Sequence, residues 1–210
     1  MKRLFTLLAT VIIAVNLAPS ANAFTPKCTN QPFTDVNGHY AEDYICFLYD
    51  HGIVSGVTDH SFYPDREITR AEFLKMLLLN TGYQTYSVQS ASFADTKPGD
   101  WYFRYVTFAH SKGFVTGYPD NTFHPDDPIS RAEAVQMLVS ISGISNYDTS
   151  NANTSFYDVD GNDWYAVAVA VATESGIVEG YGDGSFRPNN HLTRADASIM
   201  VARSWSTLYE

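Results

Sequence analysis

The chain has 210 residues, of which 45% are hydrophobic and 14% aromatic, and its acidic residues outnumber the basic ones by 23 to 13 for a formal charge of −10. This apolar content excludes a disordered chain, and the acidic balance excludes nucleic acid as a natural partner, since phosphate binding needs a basic face. With only two cysteines, neither a disulfide-dense scaffold nor a four-cysteine zinc site can be built.

Residues 1–23 read as a signal peptide. Met1-Lys2-Arg3 is a short positive start, an apolar run follows from Leu4 to Leu17, and Ala21-Asn22-Ala23 supplies an Ala-x-Ala cleavage site. The run is short for a bilayer span of ~20 residues, so the expectation is an exported chain with no membrane span after cleavage. Residues 24–32 form an N-terminal arm. Export places Cys28 and Cys46 where a disulfide persists, and their separation of 18 residues suits a staple between this arm and the first helix. Two unpaired thiols are the alternative.

One pattern then recurs three times, over 33–83, 93–144 and 156–207, with polar stretches between the copies. The openings are Phe33-Thr34-Asp35, Phe93-Ala94-Asp95 and Phe156-Tyr157-Asp158. Each copy reads as helix, loop, helix. The first helix is expected to start near Tyr40, Trp101 or Trp164 and to stop at Gly52, Gly113 or Gly176. Apolar residues at Tyr40, Tyr44, Ile45 and Leu48, and at the same offsets in the other copies, line one helical face. The closing glycine suits a left-handed C-cap followed by an apolar contact from Ile53, Phe114 or Ile177. The aromatics at 40, 101 and 164 either begin that core stripe or stand ready to stack on a sugar.

The loops compare as Gly56-Val57-Thr58-Asp59-His60-Ser61-Phe62, Gly117-Tyr118-Pro119-Asp120-Asn121-Thr122-Phe123 and Gly180-Tyr181-Gly182-Asp183-Gly184-Ser185-Phe186. His60, Asn121 and Gly184 belong to types that tolerate positive φ, which predicts a left-handed turn with Asp59, Asp120 and Asp183 as turn-formers. The segment Asp158–Asp163 has Asp163 where a calcium loop needs its glycine, and no glutamate follows at the twelfth place.

The second helix opens with Thr69-Arg70-Ala71-Glu72, Ser130-Arg131-Ala132-Glu133 or Thr193-Arg194-Ala195-Asp196. Thr or Ser followed three residues later by an acid is a capping box, and Ile68, Ile129 or Leu192 can serve as its staple. Capping explains Glu72, Glu133 and Asp196 but not the arginines. A cation in the first turn opposes the helix dipole at a cost of about 0.3–1 kcal/mol. Two readings stay open: an anion site combining the guanidinium with free helix amides, or an ion pair to a nearby acid.

Together the Phe-x-Asp opening, the Trp-initiated helix, the Gly-Tyr-x-Asp-Gly-x-Phe-x-Pro loop and the Thr-Arg-Ala-Glu box resemble the S-layer homology domain. The resemblance implies an all-α fold in which three helix-loop-helix repeats assemble as a pseudo-threefold, spindle-like helical bundle with ligand grooves between repeats. It also implies a secreted module held non-covalently on the bacterial cell wall or cell surface. The implied partner is a secondary cell-wall polysaccharide, often carrying ketal-pyruvate groups, or peptidoglycan itself. Ligand contacts then fall to Arg70, Arg131 and Arg194, with Glu72, Glu133, Asp196, Tyr40, Trp101, Trp164, Gly117, Tyr118, Gly180, Tyr181, Asp120 and Asp183 around them. Val57 departs from the loop tyrosine, His60 and Asn121 from the glycine, and Tyr40 from the tryptophan.

Catalysis is not expected. A glycan hydrolase needs a unique carboxylate pair, whereas the acids here repeat with the fold, and no nucleophile elbow or zinc-helix motif is present. Six scattered histidines suggest no metal, and nothing calls for a cofactor. Treated as independent units, the repeats predict unequal grooves, with Arg70→Ala harming binding least because Val57 and Tyr40 share its repeat. The same reading expects all three arginine-to-alanine variants to stay folded, relieved of an unfavourable charge.

Overall fold

The computed structural model describes residues 26–85, 93–143 and 155–209. The expected signal peptide lies outside them. Among the described residues a short 3-10 turn, Thr34–Val36, precedes six helices: α1 Glu42–Asp50, α2 Arg70–Asn80, α3 Phe103–Ser111, α4 Arg131–Ser142, α5 Ala166–Glu174 and α6 Arg194–Tyr209. Among the described residues there is no strand, only isolated bridges between loops. The fold is all-α and built from three repeats.

The helix boundaries follow local chemistry. Gly52, Gly113 and Gly176 end α1, α3 and α5 with φ of 70°, 74° and 69°, a backbone that a Cβ would strain. The following residues donate back to the last turn, as from Ile53 N to Leu48 O at 2.9 Å. Thr69 and Ser130 form complete capping boxes with Glu72 and Glu133. In the third copy Asp196 N donates to Thr193 Oγ1 at 3.0 Å. The first helix of each repeat begins two residues later than expected. Tyr40, Trp101 and Trp164 stand in the turn before it, closed by amides such as Phe103 N donating to Asp100 O at 3.1 Å. They therefore project outward, 62%, 50% and 62% exposed, and do not begin the core stripe.

Second helices form the centre. α2, α4 and α6 pack on one another, and each outer helix covers the second helix of the preceding repeat: α3 on α2, α5 on α4, and α1 on α6. The last contact closes the circle. On the axis, Ile68 N donates to Leu192 O at 3.0 Å, Leu192 N to Ile129 O at 3.0 Å, and Ile129 N to Ile68 O at 3.1 Å. These three side chains are completely buried, so the expected staples are also the hub of the threefold.

Each opening Phe-x-Asp anchors its own loop. Phe33, Phe93 and Phe156 pack against Phe62, Phe123 and Phe186 with centroids 5.4, 5.7 and 5.6 Å apart. Asp35 accepts from Phe62 N and Tyr63 N, Asp95 from Phe123 N and His124 N, and Asp158 from Phe186 N and Arg187 N. That last pair gives Asp158 its structural duty. Tyr63, His124 and Arg187 have positive φ of 57°, 56° and 59°, a repeated left-handed position absent from the expectation. Cys28 and Cys46 are joined by a disulfide, tying the arm to α1.

Candidate functional site

The three arginines leave the first turn of the inner helices and cross into the loop of the next repeat. Arg70 Nε donates to Phe123 O, Arg131 Nε to Phe186 O and Arg194 Nε to Phe62 O, each at 2.9 Å. Arg131 Nη2 also donates to Glu179 O and Arg194 Nη2 to Ser55 O, both at 3.1 Å. The side chains are 6 to 9% exposed. Burial lowers the pKa of Arg131 and Arg194 below the usual arginine value. Each guanidinium lies over the loop phenylalanine ring, 4.9 Å from Phe123, 4.6 Å from Phe186 and 4.2 Å from Phe62.

The helix amides beside them are occupied. Arg70 N and Ala71 N donate to Asp127 O and Pro125 O, Arg131 N and Ala132 N to Asn190 O and Pro188 O, Arg194 N and Ala195 N to Arg66 O and Pro64 O. The third amide of each helix belongs to the capping hydroxyl. The expected free amides are thus taken by carbonyls of the next repeat, and the arginines gain a structural role as staples between repeats. Ion pairing supplements it: Arg70 Nη1 lies 3.1 Å from Glu133 Oε1, and Arg194 Nη1 lies 3.8 Å from Glu72 Oε1.

Because the arginines cross, the grooves combine residues of different repeats. Loop 1 with Val57 faces Arg194, loop 2 with Tyr118 faces Arg70, and loop 3 with Tyr181 faces Arg131. The expectation that Val57 weakens the Arg70 groove is therefore misassigned: the loop without tyrosine belongs to Arg194.

In the Arg70 groove the Tyr118 hydroxyl donates to Glu133, the carboxylate that Arg70 also meets, and the guanidinium sits 4.8 Å from the Tyr118 ring. Burial and the Glu133 contact push the Tyr118 hydroxyl up to about 12. Burial alone would raise Glu133, but hydrogen bonds from Tyr118 and Ser130 and the charge of Arg70 outweigh it and lower its pKa. In the Arg131 groove Tyr181 lies 5.2 Å from that guanidinium and 3.9 Å from Arg187, while Tyr40 donates to Asp196 Oδ1 at 3.0 Å. Asp120 and Asp183 form their turns with Thr122 and Ser185, at 3.1 and 3.0 Å from the backbone amides. Asn121 and Gly184 have the expected positive φ. His60 does not, because its amide donates to Thr58 Oγ1 at 3.4 Å in a differently built turn. Gly117 and Gly180 admit Phe93 and Phe156 against their backbone, where a Cβ would lie 2.3 and 2.1 Å from a ring carbon.

The Arg194 groove differs in kind. With Val57 in place of a tyrosine it holds a cavity of about 320 Å³, lined among others by Arg66, Glu72, Lys75, Trp101 and Arg194. Arg66 Nη2 donates to Glu72 Oε1 at 2.7 Å, and Lys75 Nζ stands 5.8 Å from the centre of the half-exposed Trp101 ring. Three cations face one carboxylate there, on a chain whose net charge is −10. The positions corresponding to Arg66 are Asp127 and Asn190, and those corresponding to Lys75 are Gln136 and Ile199. The cationic surplus is peculiar to this groove. Arg66 and Lys75 both belong to repeat 1 and Arg194 joins them from repeat 3, so spacing within one repeat shows two of the three cations. Among the described residues no group of three or more acids, histidines or cysteines is placed to hold a metal ion, and no helix is long and apolar enough to cross a membrane.

Comparison with known proteins reaches the same architecture. The amylopullulanase of Thermoanaerobacterium thermosulfurigenes is 33% identical over 177 residues, covering 82% of this chain and 9% of that protein. Cell surface glycoprotein 1 of Acetivibrio thermocellus is 35% identical over 164 residues, covering 71% of this chain and 7% of its own length. The S-layer protein sap of Bacillus anthracis is 28% identical over 173 residues, or 82% of this chain and 21% of sap. This chain therefore spans a small part of each relative. The description of the S-layer homology domain matches residues 32–74, 92–135 and 155–198, one segment per repeat. Three matched segments, each holding an inner-helix capping box and the arginine that locks it to the next repeat, make this chain a member of the S-layer homology domain family.

Proposed function

We propose that this chain is a non-covalent cell-wall anchoring module that binds an anionic, carboxylate-bearing wall polysaccharide, of the pyruvylated class, in its inter-repeat grooves. The observation that carries the reading is the cavity at Arg194, where Arg66, Lys75 and Arg194 surround a single carboxylate within an acidic chain. A ketal carboxylate supplies the charge these cations complement, and Trp101 offers an exposed ring at the cavity edge on which a sugar face can stack. Arg194 itself is held by Phe62 O and Ser55 O, and Arg66 is paired with Glu72, so Lys75 is the cation best placed to meet the ligand directly. The location that goes with this reading is the cell surface, reached by secretion. The reading assigns no catalytic role, since the carboxylates cap helices and pair with arginines.

Co-sedimentation with native wall sacculi tests it. The protein is expected to bind, to release no sugar, and to lose binding when secondary polysaccharide is stripped. Equal binding to stripped sacculi would transfer the ligand to peptidoglycan, and glycan release would replace the anchor with a hydrolase. Lys75→Ala, at a half-buried position outside the staple, is expected to weaken binding about tenfold through loss of a charge-assisted contact.

A further inference from the structure

A second cavity, of about 410 Å³, lies against the other side of the same loop. It is lined by Phe33, Tyr49, Thr58 and Asp59, and it shares Ser55, Gly56 and Val57 with the Arg194 cavity. One chain segment thus separates two concavities, each within the range of about 300–1,000 Å³ common for small-ligand sites. Val57 lines both cavities and is 53% exposed. A tyrosine here, placed as Tyr118 is against Arg70 and Glu133, would fill the Arg194 cavity, which valine leaves open.

The second cavity has the opposite charge. Its one ionic residue is Asp59, and the rest of its lining is Phe33, Tyr49, Ser55, Gly56, Val57 and Thr58. Asp59 is spared the work its counterparts do. Asp120 and Asp183 each accept from the amide and hydroxyl two residues on, whereas repeat 1 closes its turn with His60 N donating to Thr58 Oγ1. The exposed carboxylate is left as an acceptor for hydroxyl or amide hydrogens and as a repellent of a second anion. Tyr49 is 39% exposed, and its ring is fixed edge-on to Phe33 with centroids 5.2 Å apart, giving the cavity a rigid aromatic wall.

We infer that the polysaccharide crosses Val57, so that the sugar next to the anionic one, an uncharged hydroxyl-rich residue, is bound in the Tyr49–Asp59 cavity. The inference rests on the anion-binding reading above. It makes repeat 1 a reader of two successive sugars, one charged and one neutral, through two sides of a single loop.

Isothermal titration calorimetry of the full chain with two probes tests it. One probe is a monosaccharide carrying a pyruvate ketal; the other is a disaccharide joining that sugar to an uncharged hexose. The disaccharide is expected to bind about tenfold more tightly, the worth of one or two added hydrogen bonds with partial stacking. Tyr49→Ala and Asp59→Trp should each remove that advantage and leave monosaccharide affinity unchanged. Asp59 lies on an exposed loop, so the filling variant keeps its fold even if Tyr49→Ala loosens the packing on Phe33. Equal affinity of the two probes for the unmodified chain would overturn the second subsite alone. So would an Asp59→Trp variant that retains the disaccharide advantage. Failure of both probes to bind the unmodified chain would overturn the anion-binding reading and this inference with it.

Discussion

Arg131→Ala is the sharpest test of the staple. Arg131 makes two hydrogen bonds into the next repeat, to Phe186 O at 2.9 Å and Glu179 O at 3.1 Å, from a side chain 9% exposed. A hydrogen bond from a charged donor contributes about 1.5–3 kcal/mol, and two on one guanidinium overlap, so the loss is about 3 kcal/mol. Relief of the charge at the helix N-terminus returns about 0.3–1 kcal/mol. The net destabilisation of about 2–3 kcal/mol lowers Tm by roughly 4–12 °C for a domain of this size. The expectation from the sequence, a neutral or slightly stabilising change, has the opposite sign. Thermal unfolding followed by circular dichroism distinguishes them. Arg131→Met, which keeps the aliphatic stem but leaves Phe186 O and Glu179 O without their donor, separates packing from hydrogen bonding and is expected to be less stable than the parent. An alanine variant with an unchanged or higher Tm would refute the staple. A methionine variant as stable as the parent would refute its hydrogen-bonding basis.

Three further outcomes are expected. Gly180→Ala drives a Cβ to 2.1 Å from the Phe156 ring and should destabilise by about 1–3 kcal/mol in chemical denaturation, whereas Gly182→Ala, with nothing within 4 Å, should be nearly silent. Glu133, whose folded pKa is lowered, lends stability that is complete above the ordinary value of 4.5 and lost as pH falls through the depressed one. Melting temperatures taken between pH 6 and pH 3 should therefore fall, and Glu133→Gln should flatten that decline. Reducing or removing the Cys28–Cys46 bridge, which closes a separation of 18 residues, should cost about 3 kcal/mol, measured as a loss of unfolding free energy in reductant.

Local chemistry was the legible part of this molecule. Capping boxes at Thr69 and Ser130 and left-handed glycines at 52, 113 and 176 follow from interactions within a few residues of each other. What escaped is whatever the threefold closure decides. That Arg70 serves loop 2 and Arg194 serves loop 1 depends on the handedness of the assembly, which no spacing within a repeat encodes. The occupied amides escaped for the same reason, since their acceptors lie about sixty residues away or at the other end of the ring. Tyr63 and Arg187 adopt positive φ although neither is a type that favours it, and His124 shares the position. Their amides are bound by the distant Asp35, Asp95 and Asp158, so tertiary contacts override residue preference. Trp101 was ambiguous because an aromatic at a helix start satisfies both an apolar stripe and an open platform.

The ring of staples has a consequence for how such a unit can multiply. A solenoid grows by adding a repeat at either end, because each repeat touches only its neighbours. Here the arginine of repeat 3 returns to the loop of repeat 1, and α1 returns to α6, so no end is left to extend. A fourth copy would have to break a closed contact before making its own. Gene duplication of this architecture is accordingly expected to proceed in threes. One repeat produced alone carries both an arginine and a receiving loop, a head-to-tail pair whose rotation closes after three copies, and it has a route to rebuild the ring as a homotrimer.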